Sequence, residues 1–109
     1  NSFARVMLLQ NNVISGGSIF LTAGLSDFPR LLGFRGNQIG TGTATLQISG
    51  SSSNCLAVTD NQAANFRLTS SPTLVVEGLS ILSTLNQFGT IFLSTTFAEA
   101  PVDSCGIPF

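Results

Sequence analysis

Five acids, four arginines and two cysteines carry all the charge and nucleophilic sulfur of this 109-residue chain. The acids are Asp27, Asp60, Glu77, Glu99 and Asp103, the cations Arg5, Arg30, Arg35 and Arg67, the thiols Cys55 and Cys105. Histidine, lysine, tryptophan and tyrosine do not occur. Without imidazole, neither a Ser-His-Asp nor a Cys-His nucleophile can be assembled. Without lysine there is no Schiff base and no phosphate-gripping ammonium. Two cysteines and no histidine fall short of a four-ligand zinc site.

The run Gly33-Phe34-Arg35-Gly36-Asn37-Gln38-Ile39-Gly40 has the wrong glycine spacing for a dinucleotide fingerprint, and no helix follows it. It reads as turns flanking a strand. Two acids across a cleft would suffice for glycoside hydrolysis, but the usual sugar platforms, Trp and Tyr, are missing. Asp60-Asn61 and Asp103 offer hard oxygens for calcium, yet no alternating acidic loop accompanies them. No catalytic residue, cofactor or metal ligand is assigned, and the expectation is a protein that is not an enzyme.

Cys55 and Cys105 are expected to pair. Cys105 lies in a Pro/Gly-rich tail that would otherwise fray, and a bridge over this separation contributes about 4 kcal/mol in the chain-entropy model. Buried reduced thiols and a bond between two chains are the alternatives. A bridge points to an oxidising compartment, so the expected location is extracellular or the cell surface. A start at Asn1 rather than Met fits removal of a leader or a trimmed chain.

The elements that must position these residues are strands. Thr41, Thr43, Thr45, Gln47 and Ser49 alternate with Gly40, Gly42, Ala44, Leu46 and Ile48, the period of a strand with one wet and one buried face. Further strands are expected near Phe3–Gln10, Ser18–Ala23, Arg30–Arg35, around Leu56 and Val58, and at Asn65–Thr69, Thr73–Glu77, Leu79–Leu85 and Thr90–Phe97. Only residues 61–65 and 79–85 offer a helical turn, and Ser80, Ser83 and Thr84 favour strand or turn in the second. Turn signals recur every 8–12 residues, as in all-β sandwiches and barrels.

One internal match stands out: Gly17-Ser18-Ile19-Phe20-Leu21-Thr22 echoes Gly89-Thr90-Ile91-Phe92-Leu93-Ser94. With no further copies it reads as two similar buried strands and not as a solenoid. The fold expected is all-β: an antiparallel β-sandwich of jelly-roll type with about eight or nine strands. Residues 1–12 form an N-terminal strand or extension and 13–109 the sandwich. The expected core is Val6, Leu8, Ile19, Leu21, Leu46, Ile48, Leu56, Val58, Phe66, Leu68, Leu74, Val76, Ile91 and Leu93.

Charged residues make up 8% of the chain and the net charge is −1, so the surface has little colloidal repulsion. Dispersed arginines and a pI near 4.9 argue against nucleic acid, and no apolar run approaches the ~18 residues of a membrane span. The partner expected is therefore another copy. Phe3, Val6, Met7, Leu8 and Leu9, with Phe109 at the other terminus, are the candidate intersubunit contacts, acting by strand addition. The function expected is a self-assembling subunit of an extracellular filament, surface layer or shell. One alternative is ice or flat-surface binding through Thr41, Thr43 and Thr45. Another is a small lectin-like module using the loops 51–54 and 60–62.

Overall fold

The computed structural model describes residues 5–70 and 73–109. The strands are β1 (Val6–Gln10), β2 (Ile19–Gly24), β3 (Leu31–Arg35), β4 (Thr43–Ser49), β5 (Cys55–Thr59), β6 (Gln62–Thr69), β7 (Val75–Glu77), β8 (Gln87–Leu93) and β9 (Ala98–Ala100). A 3-10 turn (Leu79–Ile81) and one helical turn, α1 (Leu82–Leu85), separate β7 from β8. One sheet (A) runs β1-β3-β5-β7-β9 and the other (B) β2-β4-β6-β8.

Every pairing between these strands is parallel. The chain is a β-solenoid, and the antiparallel jelly-roll sandwich expected from the sequence is wrong. The reason is physical. A period of two reports only that a strand has an inside and an outside, and a coil that alternates between two sheets satisfies it as well as a hairpin does. The recurrent turns do not reverse a strand beside its neighbour. They carry the chain across to the other sheet. The segment 79–85 is helical and not a strand, while residues 62–69, part of which offered a helical turn, form β6.

Stacking places side chains in columns. Inside sheet A, Met7, Leu32, Leu56 and Val76 share one column, and Leu9, Phe34 and Val58 another. Inside sheet B the columns are Ile19-Ala44-Phe66-Ile91 and Leu21-Leu46-Leu68-Leu93. Ala44, the smallest member, sits beside Phe66, whose ring stacks on Phe88 at 4.6 Å. Such large-beside-small alternation is how a column of fixed pitch fills space. Of the expected core, Leu46, Leu56, Val58, Phe66, Leu68, Leu74 and Val76 are fully buried. By register Val6 and Leu8 belong to the outward face of β1, opposite Leu31 and Gly33, and Met7 and Leu9 take the inward positions opposite Leu32 and Phe34, although Met7 and Leu8 at this end of the stack are almost equally exposed, 36% and 38%. Leu32 and Phe34, both fully buried, are core residues that the sequence reading passed over.

The hexapeptide match acquires a meaning here. Ile19 and Ile91, Phe20 and Phe92, and Leu21 and Leu93 occupy the same three columns. The two copies are the first and last strands of sheet B.

Candidate functional site

Four asparagines, spaced 25, 24 and 25 residues apart, form a ladder at one corner of the coil: Asn12, Asn37, Asn61 and Asn86. The Nδ2 of each donates to the Oδ1 of the next at 2.8, 2.9 and 2.9 Å. The backbone N–H of each donates to the same oxygen, at 3.2, 2.9 and 3.0 Å. Nδ2 of Asn37, Asn61 and Asn86 also reaches back to a carbonyl of the preceding coil, those of Leu9, Phe34 and Val58. Asn37, Asn61 and Asn86 are at most 5% exposed. Burial of polar groups is tolerated because their bonds are made.

The backbone before each ladder residue explains the local sequence. Asn11, Gly36 and Asp60 have φ of 57°, 71° and 58°. This left-handed conformation is accessible to Gly and, at modest cost, to Asn and Asp. The dipeptides Asn11-Asn12, Gly36-Asn37 and Asp60-Asn61 are therefore one corner used three times. The fourth, Leu85-Asn86, has a leucine unsuited to that conformation. There α1 makes the bend.

The outer face of sheet A is covered by the C-terminal segment. Cys55 and Cys105 form a disulfide. Glu77, only 4% exposed, accepts the Asp103 N–H on Oε1 at 3.0 Å and the Cys105 N–H on Oε2 at 2.9 Å. Phe109 lies over Gly33, where an added Cβ would come within 2.6 Å of its ring. The Arg35 guanidinium stands 5.0 Å from the Phe109 ring centroid and pairs with Asp60 at 3.4 Å. The outward column Leu8-Gly33-Ala57-Glu77 thus carries small residues where the strap passes. Cys55, Glu77 and Cys105 bring ligand-type atoms within 4.8 Å of one another, but the sulfurs are joined and the carboxylate is committed to the strap.

The two ends of the stack differ. Both sheets begin with the first coil, β1 and β2. Its inward residues Leu9, Ile19 and Leu21 are only partly buried and Met7 is 36% exposed, whereas their column neighbours Leu32, Phe34, Ala44 and Leu46 are fully buried. Val13 at the corner of that coil is 72% exposed. At the other end sheet A extends one strand further than sheet B, through β9, and Phe97 is 5% exposed within the core cluster. Glu99 of β9 accepts the N–H and Oγ–H of Ser80 at 3.0 and 2.7 Å. Those bonds, the backbone one first, hold its carboxyl below the usual range.

The sequence candidates fall as follows. Phe3 lies outside the described residues. Val6, Met7, Leu8 and Leu9 all lie in β1, paired with β3 of their own chain, and Phe109 packs on that chain's Gly33. Thr43 and Thr45 are in β4 and Thr41 precedes it. Their columns, Thr43-Asn65-Thr90 and Phe20-Thr45-Arg67-Phe92, do not continue the threonine array. Asn54 is buried inside the 51–54 loop, its Oδ1 accepting the Ser51 N–H and its Nδ2 donating to Ser26 and Arg30 carbonyls. The 60–62 loop borders a shallow cleft of about 340 Å³ with Gln38, Asn86 and Gln87. Among the described residues no helix is long and apolar enough to cross a membrane.

Comparison with known protein families, with curated proteins and with solved structures returns no match.

Proposed function

We propose that this chain is a structural, self-associating β-solenoid subunit of the cell exterior, joined to its neighbours by strand addition at its first coil. One observation carries the reading: the first coil ends both sheets at the same level, with its inward side chains half-covered. A strand at a sheet edge offers main-chain donors and acceptors to another chain, and natural proteins usually guard it with lysine, proline or a covering segment. This chain has no lysine at all. Main-chain pairing would supply affinity, and Met7, Leu9, Ile19 and Leu21 would gain the apolar cover that the second coil already enjoys. The Cys55–Cys105 bond supports an oxidising exterior setting.

The test is the mass of the native protein by light scattering from micromolar to millimolar concentration, with hydrogen exchange in parallel. The expected outcome is a mass that rises with concentration and slower exchange confined to β1 and β2. A constant monomer mass with unprotected β1 and β2 amides overturns the proposal.

A further inference from the structure

Association at the first coil leaves open what sits there and whether the assembly grows. We infer that the occupant is the first coil of a second copy, related by a two-fold axis, and that assembly closes at two. The inference rests on the self-association proposed above and adds its geometry.

The asparagine ladder is polar. Through the stack, each asparagine hands its N–H and Nδ2–H to the Oδ1 of the next coil. At Asn86 that relay stops. Its N–H and Nδ2 donate instead to the carbonyl of Leu82 in α1, at 3.0 and 3.1 Å. Leu82 O stands in for the Oδ1 of a following asparagine, so this corner has no donor left to offer a further coil. Asn12, at the opposite end, is only partly buried. Among the described residues no donor reaches its Oδ1.

The two ends also differ in level. In a head-to-tail stack the incoming β2 would extend sheet B beside β8. The incoming β1 would then need the place next to β7, and β9 already fills it. The stepped end therefore refuses a flat partner, while the flush first coil accepts one. A two-fold axis lets β1 meet its own copy and β2 its own copy as antiparallel pairs, an isologous contact that consumes both open ends. Residues 5–29 contain one cation, Arg5, and one anion, Asp27, so the facing surfaces carry no net like charge.

Size sets the strength. Strands of this length span about 17–20 Å and the sheets lie about 10 Å apart. With the corner residues the footprint is roughly 400 Å² per copy, the size of weak and transient contacts, so dimerisation is expected only at high protein concentration.

The experiment uses the native chain and two variants of Leu8, the central residue of β1 and 38% exposed, Leu8→Lys and Leu8→Glu, by sedimentation equilibrium at low salt. The native protein should level off at twice the monomer mass. Each variant alone should dimerise at least tenfold more weakly, and an equimolar mixture should recover most of the native affinity, because only an antiparallel β1-to-β1 contact sets residue 8 of one copy opposite residue 8 of the other. A native mass that climbs past two without a plateau overturns the two-fold closure and leaves self-association standing. A mixture no tighter than either variant overturns it as well. A native protein that stays monomeric overturns both.

Discussion

Glu77 Oε2 accepts the backbone N–H of Cys105 at 2.9 Å, 28 residues further along the chain. The Cys105 side chain is meanwhile tied to Cys55, the neighbour of Val75 across sheet A. The strap is thus held twice at one residue, once by sulfur and once by a buried carboxylate. Reduction should lower unfolding stability by about 4 kcal/mol, the loop-closure value for this separation. Urea titrations with and without a thiol reductant measure it, and an unchanged midpoint would refute it.

Glu77→Gln tests the second tie. The amide can offer one oxygen where the carboxylate offers two, so either the Asp103 or the Cys105 N–H loses its acceptor. The expected cost is about 1–3 kcal/mol, with faster amide exchange at those two residues while the disulfide stays intact.

The ladder should be far more sensitive in its middle than at its start. Asn61→Ala strips the acceptor from two Asn37 donors and the donor from the Phe34 and Thr59 carbonyls, all at a corner where Asn61 is 2% exposed. Its cost should be about 3–5 kcal/mol. At half-exposed Asn12, water can replace what is lost, and the same substitution should cost about 1 kcal/mol. Equal losses in chemical denaturation would show that the ladder does not act through buried, otherwise unpaired groups.

Glycines divide by what an added methyl would strike. At Gly42 a Cβ would overlap the Gly17 carbonyl oxygen, part of the backbone. At Gly33 it meets the ends of the Phe109 and Leu8 side chains, which can move aside. Gly42→Ala should therefore cost about 2 kcal/mol or more by overpacking against main chain, while Gly33→Ala should cost roughly 1 kcal/mol and act mainly by unseating Phe109. Thermal melts and carboxypeptidase sensitivity of the tail separate the two.

The Ser80 bonds that favour ionised Glu99 fix a sign. Its folded pKa lies below its unfolded one, so its contribution is present above the ordinary glutamate value of about 4.3. It is lost as pH falls from there through the lower folded value. Glu99→Gln should lower stability near neutrality, flatten that portion of the acid limb, and converge with the native curve at low pH. A native acid limb that the substitution does not alter would contradict the assignment.

Much of the strand content was legible, because inside–outside alternation survives any topology: Thr43–Ser49 and the buried Leu46, Ile48, Phe66 and Leu68 follow from it directly. Parallel stacking was not legible from the same pattern. The period of the coil is written mainly in Asn12, Asn37, Asn61 and Asn86, since the other columns interchange Ile, Ala, Phe and Leu and defeat residue-by-residue matching. Asn11-Asn12, Gly36-Asn37 and Asp60-Asn61 each carry an ordinary turn signal in the sequence. Their spacing of 24–25 residues was the missed signal, and the fourth was masked because a leucine and a helix replace the left-handed residue. The face of β1 was misjudged because Leu8 is no less apolar than Met7 or Leu9. Only the register with Gly33 reveals which of them points outward.

Among the described residues each coil rests on the coil before it and the coil after it, and the strap is what ties more distant coils together. Height in such an object is an arithmetic quantity, while the cross-section is fixed by the corner and the two sheets. An extra turn of about 24 residues slipped between Ser49 and Cys55 would lengthen the column by one step of about 4.8 Å and ask only the contacts that bridge that step, among them Phe109 on Gly33, to find new seats.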